Sequence, residues 1–131
     1  MKEFQEYTGA NLYDFCCGYV LTRKQILEEP LTKETEKIIK NYLRRYKAGT
    51  YDANRAVYIQ RILLEIRSEV LGFSENLSKF YIRKENKPGY ASLDDADVEG
   101  MTDWFYGRYP DIDVRILDEW VRYLIYIWYI R

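Results

Sequence analysis

The segment from Asp113 to Arg131, DVRILDEWVRYLIYIWYIR, admits two readings, and the choice between them separates an all-helical protein from a mixed one. Leu124 to Ile130, LIYIWYI, is rich in β-branched and aromatic residues and has the propensity of a core strand. Plotted as a helix, however, the segment gathers Arg115, Asp118, Glu119 and Arg122 on one narrow side, joined by Tyr126 and Tyr129. Val114, Leu117, Val121, Leu124 and Trp128, with Ile116, Trp120, Tyr123, Ile127 and Ile130, take the remainder of the circumference. So economical a sorting of charge predicts a helix, capped by Asp113 and apolar on most of its sides.

Upstream, the same periodicity recurs. Asp52 and Gly72 bracket a helix over Ala53 to Leu71, in which Ala56, Ile59, Leu63, Ile66 and Val70 recur at steps of three and four. Val57, Leu64 and Leu71 widen that apolar stripe, so this helix and the C-terminal one are expected at the centre of the core. Thr32 is an N-cap and Gly49 a stop for a helix over Thr32 to Ala48, with Ile38, Ile39, Tyr42, Leu43 and Tyr46 on its apolar side. Ala10 to Leu21 spaces Leu12, Phe15, Cys16, Tyr19 and Val20 as a first helix, and Thr22 to Glu29 is a short one halted before Pro30. Lys79 to Arg83 reads as a strand or a helix end ahead of the Lys87-Pro88-Gly89 turn, which leaves a short hairpin near 79–91 open. Ser92 is the N-cap expected for the next helix, with Asp94, Asp95 and Asp97 in its first turns. The expected fold is a compact all-α bundle of five or six helices, one domain over residues 1–131.

Composition narrows the function. The chain has no histidine, fourteen tyrosines, three tryptophans and five phenylalanines. It therefore lacks the commonest side chain for proton transfer near neutral pH and is rich in residues that form adhesive contact surfaces. No Gly-rich phosphate loop or P-loop lysine motif is present. A binding protein is expected rather than an enzyme, with no cofactor.

The net charge of −1 hides a segregation: +5 between Thr22 and Arg67, −7 between Ser92 and Glu119. The adjacent thiols Cys16 and Cys17 are expected to be buried and free, as in a reducing cytoplasm. The N-terminal residues lack the apolar core of a secretory signal, and the C-terminal apolar run, broken by Arg122, is short for a bilayer span. A cytoplasmic protein without a membrane role is the expectation.

Three surfaces are candidates for a partner. Lys33, Lys37, Lys40, Arg44 and Lys47 follow one another at steps of four, three, four and three, a single helix face suited to tracking phosphates, with Tyr42 and Tyr46 beside it to stack bases. Asp94, Asp95, Asp97, Glu99 and Asp103 form an acidic cluster. Read from Asp95 it begins like a calcium loop, but Tyr106 stands where the bidentate glutamate is required, so no metal site is expected. Trp104 to Pro110, WFYGRYP, concentrates hot-spot residue types. There Tyr106, Arg108 and Tyr109 are expected at a contact surface, and Trp104 and Phe105 in the core.

The preferred expectation is a small inhibitor or modulator of a macromolecular partner, contacting it through Tyr106, Arg108, Tyr109, Asp94, Asp95 and Asp97. A phage or mobile-element inhibitor of a host nuclease or defence complex would have such a size and charge pattern. The alternative is a nucleic-acid- or nucleotide-binding module using Lys33, Lys37, Lys40, Arg44 and Lys47. A homodimer through the C-terminal helix is a further partner to consider.

Overall fold

The computed structural model describes residues 4, 6–24, 31–75, 78–81 and 96–130; among them are five α-helices and no strand. Helix α1 spans Gly9–Arg23, α2 Lys33–Arg45, α3 Ala53–Leu71, α4 Val98–Arg108 and α5 Val114–Ile130. A 3-10 turn over Gly72–Glu75 follows α3. The protein is all-α. The chain falls into two compact units, Met1–Leu64 and Glu65–Arg131, and the division lies within α3.

In the first unit α1 is the helix buried on nearly every side, with residues 13–18 and 20–22 all enclosed. It runs through Thr22 and Arg23 instead of breaking at Leu21, and the Thr22 hydroxyl turns back to donate to Gly18 O at 2.8 Å. Residues 25–29 of the short helix expected next lie outside the described residues. Helix α2 begins where Thr32 caps it, the hydroxyl accepting from Thr35 N at 3.2 Å. It packs on α1, and its Ile39 and Leu43 are 0% and 2% exposed, each stabilising the fold by about 2 kcal/mol. Around that contact an aromatic cluster forms, with Phe4 stacked on Tyr46 at 3.9 Å and edge-on to Phe15 and Tyr19.

The end of α2 differs from expectation. Lys47, not Gly49, takes the left-handed position that closes the helix, at φ 53°. Ala48 N donates to Leu43 O at 2.8 Å and Lys47 N to Arg44 O at 3.3 Å, which is the Schellman pattern. Gly49, at φ 102°, then turns the chain towards α3. Two contacts fasten that return. The Tyr13 hydroxyl accepts from Asp52 N and donates to Asp52 O, both at 2.9 Å. Asp14, buried in α1, receives Arg55 Nε at 2.9 Å and a terminal guanidinium nitrogen at 2.8 Å. Asp52 also caps α3 through Arg55 N at 3.2 Å. Along α3 itself Val57, Leu64 and Leu71 are exposed, so the buried stripe is narrower than the sequence predicts.

In the second unit α4 packs against α5. The helix expected from Ser92 starts at Val98 instead, because Asp97 is its N-cap: Oδ1 accepts from Gly100 N at 3.0 Å. Gly100 suits that position because a Cβ there would collide with the capping carboxylate. Since Glu99, Gly100 and Asp103 belong to α4, they are not laid out as a calcium loop. Tyr81 pairs with Ala96 in an isolated antiparallel bridge, and Asp97 N donates to Phe80 O at 2.7 Å. The rest of the hairpin considered near 79–91 lies outside the described residues.

Residues 113–130 resolve the opening ambiguity as helix. Asp113 Oδ1 accepts from Arg115 N at 2.8 Å, and seven side chains from Ile116 to Trp128 are buried. Phe73 meets Trp128 edge-on at 5.4 Å. Arg115, Arg122, Tyr126 and Tyr129 are exposed as the charge sorting requires, joined at the surface by Val114, Ile127 and Ile130.

Candidate nucleic-acid interface

Helix α2 carries its cations opposite its core contacts. At about 100° per residue, Lys33, Lys37, Lys40 and Arg44 fall within a narrow arc, while buried Thr35 and Ile39 lie towards the other side of the helix and buried Leu43 falls between the two. All four, and Lys47 just past the helix, are exposed. Among the described residues none of the five is in an ion pair. Asymmetric burial exposes this face: Ile39 and Leu43 hold the helix down, and the cations have nowhere to go but solvent. Glu34 and Glu36 occupy the first turn, where the helix dipole favours them.

The return from α2 to α3 builds a cleft beside the cations. Lys40, Leu43 and Arg44 form one wall and Gly49, Thr50 and Tyr51 the other, around a volume of about 520 Å³. The Lys40 ammonium stands 5.4 Å from the centre of the Tyr51 ring. Burial, and then the nearby Glu36 carboxylate, push the Tyr51 phenol up to about 12. A second cleft, of about 340 Å³, shares Gly49 and Thr50 and is floored by Tyr13, Asp14 and Arg55.

Tyr42 and Tyr46 do not flank the cation row. Tyr42 is two residues from Lys40, about 200° around the helix, and both tyrosines are half-buried in the Phe4 and Tyr19 cluster. Arg23, Lys24 and Arg45 sit over Tyr19, Tyr42 and Tyr46 at 4.8, 5.9 and 5.6 Å. The aromatic ring next to the row is Tyr51, which periodicity alone misses because it follows the helix and reaches the site through the turn. Gly49, needed for that turn, is the one local signal of it.

Of the acidic and aromatic candidates, the structure describes Asp97, Tyr106, Arg108 and Tyr109. Asp94 and Asp95 lie outside the described residues, and Asp97 is engaged as the α4 cap. Tyr106 is exposed. Arg108 is exposed but committed to Glu65, through contacts of 3.0 and 3.4 Å. Tyr109 is not at the surface: it is 8% exposed, and its hydroxyl donates to Glu65 Oε2 and accepts from Arg108 Nε. Burial, and then Glu65, raise the Tyr109 phenol above its ordinary value. Phe105 is in the core as expected, but Trp104 is 43% exposed, with the Lys79 ammonium 4.7 Å and the Arg108 guanidinium 5.9 Å from its ring.

Cys16 and Cys17 are free and buried. Burial pushes the Cys16 thiol up to about 12 and the Cys17 thiol higher still, the reverse of what a nucleophile or metal ligand needs. Among the described residues no group of three His, Cys, Asp or Glu side chains is placed to hold a metal ion. No described helix is long and apolar enough to cross a membrane. Compared with protein-family models, curated proteins and solved structures, the chain matches none.

Proposed function

We propose that this protein is a non-enzymatic binding protein whose α2 face holds a nucleic acid by its phosphates. One observation carries the reading: Lys33, Lys37, Lys40, Arg44 and Lys47 form an exposed row in which no ion pair is made among the described residues. Such a row releases counterions when phosphates replace them, a source of affinity that needs no sequence recognition.

The test is anisotropy of a labelled oligonucleotide across a salt series. With all five cations engaged, affinity falls by roughly one hundred- to five-hundredfold between about 50 and 200 mM salt. Combined Lys37→Glu, Lys40→Glu and Arg44→Glu removes binding. Retention of full affinity by that variant would overturn the reading.

A second reading is favoured by Trp104, exposed between two cations and joined on α4 by exposed Tyr106. Tryptophan, tyrosine and arginine are the usual centres of protein contacts, and the inhibitor of a host nuclease or defence complex belongs to this surface. Its mark would be a protein partner lost by Trp104→Ala or Tyr106→Ala and kept by the α2 reversals.

A further inference from the structure

We propose that the ligand of the α2 face is single-stranded, with one nucleotide seated in the cleft between Lys40, Arg44 and Tyr51. This inference rests on the phosphate-binding reading of α2 and specifies the form of nucleic acid it takes. Three observations lead to it.

The cations form one row. From Lys33 to Arg44 it extends along α2 for about 16 Å at 1.5 Å per residue, the track of one backbone rather than two. The cleft then opens where the row ends. Its volume of about 520 Å³ lies within the range of small-ligand sites, and Leu43, 2% exposed, contributes an apolar side chain to its wall. A strand whose phosphates lie on Lys40 and Arg44 places the adjoining base at that mouth.

Finally, the far wall offers a stacking partner. Tyr51 is half-exposed, and Lys40 already lies 5.4 Å from its ring centre. A base entering the cleft would take up the ring face while its phosphate engages the ammonium, so one residue pair addresses both ends of a nucleotide. A duplex keeps its bases in the stack and cannot deliver one here without unpairing it; a single strand can.

The experiment compares a thymidine oligonucleotide with a duplex of equal length at one moderate salt concentration. The wild-type protein is expected to bind the single strand at least tenfold more tightly. Tyr51→Ala is expected to weaken single-strand binding about tenfold and to leave duplex binding unchanged, while Tyr51→Phe keeps wild-type affinity. The wild-type comparison stands even if Tyr51→Ala does not fold. Equal binding of the two forms, both abolished by reversing Lys37, Lys40 and Arg44, overturns this inference and leaves the phosphate-binding reading intact. Single-strand affinity unmoved in a folded Tyr51→Ala does the same. Binding of neither form overturns both.

Discussion

The Asp14 carboxylate, 2% exposed, is gripped by two nitrogens of Arg55, forty-one residues further along the chain and itself 29% exposed. The two partners are thus unequally shielded, and their removal should have unequal consequences. Arg55→Ala strands an ionised carboxylate away from water and is expected to cost about 3–5 kcal/mol. Asp14→Asn leaves a guanidinium that can reach solvent, and should cost about half as much. Urea unfolding of the two variants reads the difference directly. An equal loss, or a larger one for Asp14→Asn, would show that the burial asymmetry does not govern the pair.

Lys47 closes α2 in the left-handed region, at φ 53°, where a Cβ is unwelcome. Lys47→Gly should raise stability by about 0.5–1 kcal/mol, the relief of strain exceeding the added flexibility of the unfolded chain. The same change removes one cation from the row. The salt dependence of oligonucleotide binding should therefore fall by about 0.7–0.9 in log–log slope. A more stable variant with an unchanged slope would place Lys47 outside the interface.

Asp113 links acid stability to α5. The hydrogen bonds from Arg115, outweighing burial, hold its carboxyl below the usual range. Its ionised form is thus favoured in the folded state. That stabilisation is complete above the ordinary carboxylate value, near pH 4, and disappears as pH falls through the lower folded value. Asp113→Asn keeps a capping oxygen but not the charge. Its melting temperature should lie below wild type at neutral pH and converge with it in acid. A gap constant over the whole range would mean that Asp113 acts through geometry alone.

Much of this was legible wherever a residue's partner lies within one or two helical turns. The bounds of α3, the Thr32 cap, the Asp113 start and the cation row on α2 all follow from spacing or capping chemistry. What could not be read depends on contacts made across the chain. Tyr51 reaches the cations only through the turn after Ala48, and Tyr109 is drawn inward by Glu65, forty-four residues away. Trp104 and Phe105 are adjacent on α4, and only Phe105 is buried; composition does not say which of the two faces the core. Ser92 is as good a cap as Asp97 on paper, and the bridge between Tyr81 and Ala96 keeps the helix from starting earlier.

The three tryptophans are unequally placed: Trp104 is 43% exposed, while Trp120 and Trp128 are 1% and 9% exposed. The long-wavelength edge of the emission spectrum therefore belongs to Trp104 alone. Iodide, drawn to the Lys79 ammonium 4.7 Å from that ring, should extinguish Trp104 and spare the other two. The α4 surface thus carries its own optical probe, and whatever docks there would report itself as protection from the quencher without any attached label.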